Sequence, residues 1–196
     1  MNSLIAFIKK KSTRYRIIIL LCISLSIYSI WFFFDSLHKG GDFTLNYNGN
    51  EWVYSKESKK INLIYFGFTK CRSVCPVTMS YARLAFKELN AEALDDIQLI
   101  FIDVDSENDT PLDAYNYAKM YNPLFIGLIG TQEEIHKTIR LFPVGYLEIK
   151  DENSDIGYEI VHTDNIFFLD NKGQILDWVS SPENSEEILL KIKEYL

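Results

Sequence analysis

The chain has 196 residues, of which 47% are hydrophobic and 14% aromatic, and it carries three cysteines and a formal net charge of −7. That length accommodates one membrane anchor and one domain of ordinary size. Residues 1–16 contain five basic and no acidic side chains, which leaves 15 basic and 27 acidic side chains, a net charge of −12, in the remainder. So acidic a remainder argues against nucleic-acid binding and suits either a basic protein partner or an ordinary solvated surface.

The first predicted element is a membrane-spanning helix. Residues 17–34 form a stretch of 18 without a charge, which reaches the lower length limit for a helix that crosses a bilayer. The positive-inside rule then predicts residues 1–16 in the cytoplasm and the rest on the outer face of the membrane, periplasmic or equivalent. A cleaved signal peptide is disfavoured, because no small-residue cleavage site follows Phe34. Cys22 is then a lipid-facing or packing residue, and residues 35–42 form a polar linker with two glycines.

The domain predicted over residues 43–196 begins with a β-hairpin, in which Phe43–Tyr47 and Trp52–Tyr54 are the strands and residues 48–50 the turn. Further strands are predicted where short runs are apolar or alternate in polarity: Ile61–Phe68, Ile97–Val104, Gly145–Ile149, Tyr158–Val161, Asn165–Leu169 and Gln174–Trp178. A short apolar segment spans residues 124–129. Helices are predicted from proline and capping signals at Pro76 to about Leu94, Pro111 to about Tyr121, Thr131 to about Leu141, and Pro182 or Ser185 to Leu196.

This order of elements predicts an α/β fold, in which two strand–helix units are followed by antiparallel strands and a closing helix. A buried strand that delivers cysteines to the N-terminus of a helix is typical of a thioredoxin-like domain. The sequence therefore predicts a thioredoxin-like fold with an N-terminal β-hairpin, preceded by one transmembrane helix.

The most informative motif is the pair Cys71 and Cys75, at the junction of that strand and that helix. The partial positive charge of a helix N-terminus stabilises thiolates, and the flanking Lys70 and Arg72 act in the same direction. In a helical turn, C-x-x-x-C spacing brings both sulfurs to one face, where they can share a metal ion or form a disulfide. A purely structural disulfide is disfavoured, because so short a loop removes little entropy from the unfolded chain.

A metal needs further ligands, and the chain has three histidines. His38 is juxtamembrane and His136 lies on a charged helix surface, so neither is a strong candidate. His162 lies in a strand connection that, in a thioredoxin-like topology, packs against the cysteines. Two thiolates and one imidazole form a soft site that favours copper, whereas zinc would require a fourth ligand or water.

Disulfide exchange is the competing chemistry for the same two cysteines. Thiol oxidoreductases of this fold usually carry a cis-proline in the connection next to the cysteines. No proline occurs from His162 to Phe168. The sequence therefore favours metal binding over exchange and leaves both open.

The order and spacing of several motifs resemble the Sco/SenC family of copper-binding assembly factors for cytochrome c oxidase. The likeness extends over about residues 40–180. The matching segments are an opening strand (40–45), a cysteine motif (65–76), an acidic loop (103–105 with 109–111), an apolar block (125–130), and a histidine with a following hairpin (His162 with 168–173). The chain departs from the family pattern at Arg72 and Ser106, which are often proline, and at Thr163, which is often serine.

The resemblance implies that Cys71, Cys75 and His162 bind Cu(I) or Cu(II), and that Asp105 shapes the site from outside the ligand set. It implies a membrane-anchored metallochaperone that passes copper to the dinuclear centre of cytochrome c oxidase subunit II or to another copper-receiving protein. The alternative is a thiol–disulfide reductase that keeps the oxidase cysteines reduced, with Cys71 as the attacking and Cys75 as the resolving thiolate. A peroxidase of the same fold is disfavoured, because Thr69 stands two rather than three residues before Cys71.

Overall fold

The structure, a computed structural model, describes residues 13–36, 39–151 and 156–196. Its contacts divide the chain into two units, Met1–Leu37 and His38–Leu196. In the first unit, helix α1 spans Thr13–Ser36. Over the described part of the chain, no helix is both long enough and apolar enough to cross a membrane. The transmembrane helix predicted at residues 17–34 is therefore not confirmed.

The second unit contains the remaining helices and all the strands of the described residues. The strands are β1 (Thr44–Tyr47), β2 (Asn50–Val53), β3 (Ile61–Gly67), β4 (Ile97–Asp103), β5 (Ile126–Leu128), β6 (Tyr146–Lys150), β7 (Tyr158–His162), β8 (Asn165–Asp170) and β9 (Ile175–Ser180). The helices are α2 (Tyr54–Glu57), α3 (Val74–Lys87), α4 (Ala91–Asp96), α5 (Pro111–Tyr121), α6 (Gln132–Ile139) and α7 (Ser185–Tyr195).

Five strands form the central sheet in the order β5-β4-β3-β8-β9. β3 runs parallel to β4, which runs parallel to β5, whereas β8 and β9 are antiparallel to their neighbours. Every residue of β3 and β4 is buried, which explains why both strands appear in the sequence as largely apolar runs. The predicted α/β class is confirmed. Two further hairpins, β1–β2 and β6–β7, form separate two-stranded sheets.

Helices α3, α5 and α7 cover one face of the central sheet. Phe101 of β4 contacts Tyr117 of α5, with ring centroids 4.7 Å apart, and α7 contributes the fully buried Ile192 to the core. Helix α5 approaches β5 so closely that a Cβ at Gly127 would lie 1.9 Å from the carbonyl oxygen of Ala114. Only glycine fits at this crossing.

The opposite face of the sheet is covered by an aromatic cluster and by the β1–β2 hairpin. Phe142, which follows α6, lies 5.1 Å from Phe66 and 5.5 Å from Phe167 between ring centroids. Phe43 and Trp52 extend this cluster from the hairpin, with their own rings 5.9 Å apart. The hairpin therefore closes the core on the side away from the three helices.

Two segments differ from the predicted elements. The helix expected over residues 76–94 ends at Lys87, and a new helix follows. Asn90 starts that helix by accepting a hydrogen bond from the Ala93 N–H at 2.9 Å, and such an asparagine cap competes with helix continuation. Tyr54, expected to end the second strand of the hairpin, instead begins the short helix α2.

Candidate metal centre

Gly67 is the last residue of β3, and the loop that follows it leads to the first cysteine. A Cβ at Gly67 would lie 3.0 Å from Cys75 Sγ and 3.0 Å from the Phe101 ring, so the missing side chain makes room for the sulfur. Thr69 Oγ1 donates to Asp109 at 2.6 Å and fixes the loop from the other side. The glycine in the strand thus marks a close approach rather than a flexible point.

The two cysteines lie in different local structures. Cys71 is in the loop, whereas Cys75 is in the first turn of α3, which begins at Val74. The expectation that both share one helical turn is wrong, because Ser73 between them has a non-helical backbone with φ −118° and ψ −91°. Pro76 occupies the first turn of the helix, as predicted. Both thiols are free and buried, with Cys71 8% and Cys75 0% exposed.

His162 is the last residue of β7 and faces Tyr146 across the β6–β7 hairpin. Its Nε2 lies 3.0 Å from Cys75 Sγ, and its Nδ1 lies 3.1 Å from the carbonyl oxygen of Thr163. A carbonyl can only accept, so Nδ1 carries a proton and Nε2 is directed at the sulfur. The ring also stands edge-on to Tyr65, with centroids 6.0 Å apart.

The three predicted ligands converge on one point. The sulfurs of Cys71 and Cys75 and a ring nitrogen of His162 all lie within 4.8 Å of one another. In residues 13–36, 39–151 and 156–196, this is the only group of three or more histidine, cysteine or acidic side chains with such spacing. Two sulfurs and an imidazole nitrogen are soft donors, of the kind that suit copper and zinc.

The two cysteines differ in protonation. Hydrogen bonding with Cys75, and with His162, lowers the pKa of Cys71 to about 3 against the opposing effect of burial. The neighbouring Cys71 sulfur and burial together raise the pKa of Cys75. Burial lowers the pKa of His162, but its interactions with Cys71 and the Thr163 carbonyl outweigh burial, so that this pKa is raised overall. The metal-free site therefore favours a Cys71 thiolate beside a protonated Cys75.

Asp105, predicted to shape the site, connects the two segments that carry the ligands. It is 3% exposed, and its Oδ2 accepts from Lys70, next to Cys71, at 3.3 Å and from the Tyr158 hydroxyl at the start of β7. Asn108 donates to its Oδ1 at 2.8 Å. Burial, and then Asp105, raise the pKa of Tyr158 to about 12, so the phenol remains a donor at neutral pH.

A second carboxylate, Asp103, ends β4 and is fully buried. Its Oδ1 accepts from the Asp105 N–H at 3.0 Å. Its Oδ2 is the single buried side-chain oxygen or nitrogen without a hydrogen-bond partner among the residues that the structure describes. Burial raises the pKa of Asp103 well above the usual range, and Asp109, which is ion-paired with Lys70, acts in the same direction. This environment favours the neutral acid.

Three polar side chains that sequence reasoning missed meet behind the ligands. The hydroxyls of Tyr65 and Thr78 both donate to Asp164 Oδ1, at 2.9 and 3.1 Å. The sequence suggests that Tyr65 is an ordinary core residue. The available signal was the tyrosine itself, because a buried hydroxyl in an otherwise apolar strand needs a partner.

The other residues singled out in the sequence lie elsewhere. His136 is exposed on α6, with its Nε2 2.6 Å from the Tyr146 hydroxyl, and His38 lies outside the described residues. Arg72 and Cys71 line a cleft of about 260 Å³. Among the three candidate ligands, Cys71 is therefore the one that an incoming molecule reaches through this cleft.

Both the sequence and the fold are similar to known proteins. A family profile described as SCO1/SenC matches residues 35–196. A SCO2-like protein of Rickettsia conorii is 33% identical over 159 residues, which cover 79% of this chain and 77% of the relative. The crystal structure of Arabidopsis thaliana ScoI with copper bound has 25% identity and a TM-score of 0.74, covering 80% of this chain and 97% of that one. The structure of Bradyrhizobium japonicum ScoI with copper bound has 31% identity and a TM-score of 0.67, covering 80% and 99%.

A thioredoxin-like α/β domain that gathers two cysteines and a histidine beyond the end of a central strand defines a class of proteins that bind soft metals or exchange disulfides. Within that class, the match over residues 35–196 shows that this chain belongs to the SCO1/SenC family. The resemblance stated from the sequence motifs is confirmed.

Proposed function

We propose that this chain is a copper metallochaperone that holds one copper ion through Cys71, Cys75 and His162 and assists the assembly of cytochrome c oxidase. The observation that carries the proposal is the convergence of the three ligand atoms within 4.8 Å of one another. Two similar proteins, ScoI of Arabidopsis thaliana and ScoI of Bradyrhizobium japonicum, have structures with copper bound.

The protonation of the site suits a soft cation. Cys71 already favours the thiolate, and a metal-bound Cys75 would lose its proton, because a coordinating thiol is deprotonated. His162 would present Nε2 to the metal while Nδ1 remains hydrogen-bonded to the carbonyl of Thr163, an arrangement that fixes the ring orientation. Binding therefore releases protons, and copper affinity should fall as the pH is lowered.

The ligands differ in accessibility, which suggests an order for the transfer of copper. Cys71 lines the cleft and retains 8% exposure, whereas Cys75 is fully buried. His162 is more exposed than either cysteine. An incoming sulfur or imidazole from a receiving protein would therefore replace Cys71 or His162 first and Cys75 last. Each exchange leaves the ion with protein ligands, so copper need not enter water.

Asp105 would act as an outer residue that keeps the two ligand-bearing segments together. It binds Lys70 in the cysteine loop and Tyr158 in β7, the strand that ends at His162. Loss of such a residue typically weakens metal binding by about 10–100-fold. We expect a decrease of this size for Asp105→Ala.

The proposed partner is cytochrome c oxidase subunit II or another copper-receiving protein, and the proposed location is the outer face of the membrane. In this arrangement residues 1–16 are cytoplasmic, residues 17–34 form the anchor, residues 35–42 the linker and residues 43–196 the copper-binding domain. The basic N-terminus and the charge-free segment after it support this orientation. Carbonate extraction of membranes that contain the full chain tests it: the chain should stay with the lipid, and release into the supernatant would contradict an anchor.

A thiol–disulfide reductase is the second candidate, and the different protonation of the two cysteines favours it. The Cys71 thiolate would attack a disulfide of the target, form a mixed disulfide and release one target thiolate. Cys75, once deprotonated, would attack the Cys71 sulfur and release the second target thiolate. The pair ends as a disulfide and the target as a dithiol.

A Cu(I) titration against a competing chelator distinguishes the two functions. In a Cys22→Ser background, the otherwise wild-type chain should hold one copper ion tightly. His162→Ala should weaken binding by more than about 100-fold, because losing a ligand costs more than losing an outer residue. His136→Ala, which removes an exposed histidine, is the matched control and should change nothing. Weak binding that is indifferent to His162, together with disulfide reduction that requires Cys71 and Cys75, would favour the reductase.

A further inference from the structure

Asp164 is a hydrogen-bonding centre behind the ligands. Its Oδ1 accepts from the Tyr65 hydroxyl at 2.9 Å and from the Thr78 hydroxyl at 3.1 Å. Its backbone carbonyl accepts from the Ser181 N–H at 2.6 Å. Tyr65 and Thr78 are 0% and 2% exposed, so water does not compete for either hydroxyl.

Each of these side chains belongs to a segment that carries a ligand. Tyr65 lies in β3, which leads into the loop with the first cysteine. Thr78 lies in α3, three residues after Cys75, and Asp164 lies two residues after His162. One carboxylate oxygen therefore connects the three segments whose spacing sets the distances between the ligands.

The Tyr65 ring and the Cys75 sulfur lie close together beside Gly67, where an added Cβ would be 3.3 Å from Tyr65 Cε1 and 3.0 Å from Cys75 Sγ. Burial, and then Cys75 and Asp164, raise the pKa of Tyr65, as expected for a hydroxyl between a sulfur and a carboxylate. A phenol has one proton, which it donates to one of these two acceptors. The 2.9 Å hydrogen bond directs that proton to Asp164, and a carboxylate is the stronger acceptor.

We propose that Asp164 is a positioning residue of the metal centre: it holds the three ligand-bearing segments together and accepts the hydrogen bond of the Tyr65 hydroxyl, so that the lone pairs of the Cys75 sulfur remain available to the metal. This inference rests on the proposed copper site. Without Asp164, the Tyr65 hydroxyl turns its proton toward Cys75 Sγ. That hydrogen bond withdraws charge from the sulfur and weakens its donation to copper.

The test combines copper affinity with a spectrum that reports on sulfur donation. In the full chain with Cys22→Ser, Cu(I) affinity is measured by chelator competition, and the sulfur-to-copper charge-transfer band is recorded after loading with Cu(II). Asp164→Ala should weaken Cu(I) binding by about 10–100-fold and move the band to higher energy. Adding Tyr65→Phe should return the band toward its wild-type position, because the proton that turned to the sulfur is gone.

Two further variants serve as controls. Asp164→Asn keeps an oxygen that can accept from both hydroxyls, so it should retain the wild-type band and most of the affinity. Asp177→Ala removes a carboxylate that accepts from Lys191 at 2.6 Å at the contact of β9 with α7. It should leave both the affinity and the band unchanged.

Wild-type affinity and an unmoved band in Asp164→Ala would overturn the proposal, and so would a band shift that persists in the double variant. If Asp164→Ala does not fold, Tyr65→Phe alone decides. In Tyr65→Phe, a charge-transfer band at its wild-type position supports hydrogen-bond donation from the tyrosine to Asp164. A shift of that band to lower energy means that the tyrosine donates to Cys75, which overturns the proposal. A wild-type chain that binds no copper would overturn the proposed function as well, whereas the other results leave the copper site standing.

Discussion

The parallel strands β3 and β4 bury polar side chains at both ends, and the two ends are built differently. At the first end, Asn62 and Gln98 face each other in the strand register, and Gln98 Nε2 donates to Asn62 Oδ1 at 2.7 Å. Asn62 also accepts from the Lys59 N–H at 2.9 Å and donates to the Lys59 carbonyl at 2.8 Å. At the second end, Cys75 directs its sulfur to a shared point, and Asp103 has an oxygen without a partner among the described residues.

The difference teaches how to separate structural from functional polar groups in this domain. At the first end each amide bonds its neighbours and the backbone, so the network fixes the strand register and offers little to a ligand. At the second end, sulfur and nitrogen atoms face one another with lone pairs still available. Changes at the first end should therefore affect stability, and changes at the second should affect the metal.

Asn62→Ala should have the largest effect on folding. It removes one of the two acceptors of Gln98 Nε2, which keeps the Glu57 carbonyl, and it removes the acceptor of the part-buried Lys59 N–H. The free energy of unfolding should fall by about 3 kcal/mol, because each buried or part-buried group that loses a partner costs about 1–3 kcal/mol. Urea unfolding measures this loss. Copper affinity of the folded fraction should stay within about twofold of wild type, and a decrease in affinity as large as that for His162→Ala would mean that the two ends are not independent.

Gly67→Ala should disturb both properties, since this residue lies at the second end. The added Cβ would come within 3.0 Å of Cys75 Sγ and of the Phe101 ring. Overpacking of this kind costs about 2 kcal/mol of stability, and moving the sulfur should weaken Cu(I) binding by about tenfold or more. Gly145→Ala is the matched control, because its nearest neighbour, the Thr163 hydroxyl, is 3.9 Å away. An unchanged Cu(I) affinity in Gly67→Ala would show that the added methyl group does not displace the Cys75 sulfur.

Asp103→Asn should change how stability depends on pH. The pKa of Asp103 is raised in the folded protein from an ordinary value of 3.8, so the folded state keeps a proton that the unfolded chain releases. Asp103 therefore contributes stability below about pH 4, and this contribution is lost as the pH rises through the folded-state pKa.

Asparagine is neutral throughout and avoids that loss. The unfolding free energy of Asp103→Asn relative to wild type should increase by up to about 1.4 kcal/mol per pH unit above pH 4, until the folded-state pKa is passed. Urea unfolding from pH 4 to 8 checks this. A difference that stays constant with pH would mean that Asp103 is ionised in the folded protein.

The smallest expected change concerns Cys71. With its pKa lowered to about 3, Cys71 should be a thiolate throughout the range from pH 5 to 8. In a Cys22→Ser background, the rate of alkylation at Cys71, followed by peptide mapping, should vary by less than about twofold over that range. Over the same pH range, an ordinary thiol becomes several hundred times more reactive, because its thiolate fraction increases by about that factor. A rise of that size at Cys71 would contradict the assignment.

Much of the fold could be predicted because local signals and burial agree. Strands β3 and β4 were predicted to within one residue at their ends, since short, largely apolar runs leave few alternatives. The helix over residues 111–121 carries proline and a capping box at its start. The break at Asn90 was missed, because an asparagine within a helical pattern becomes a cap only when the chain must turn toward the next strand.

The three candidate ligands were predictable from residue type and topology, but their surroundings were not. Asp164 and Thr78 are 86 residues apart in the chain, and nothing in the local sequence of either indicates the other. Asp105 was predicted through the family resemblance, yet its link to Tyr158 depends on how the β6–β7 hairpin packs on the loop after β4. Such polar networks are set by tertiary geometry, which hydrophobic periodicity does not encode.

The distance along the chain between Cys75 and His162, 87 residues, has a consequence for the order of events in biosynthesis. Both cysteines leave the ribosome long before the histidine, so the complete site forms only after β7 has found its place in the folded domain. Under the proposed function, copper loading follows folding. A ligand that binds only the native state then stabilises it, by about 4 kcal/mol when its free concentration is 1,000 times the dissociation constant. The copper-loaded protein should therefore resist proteolysis better than the same protein after it has delivered its copper. Proteases should then degrade mainly the copper-free chains.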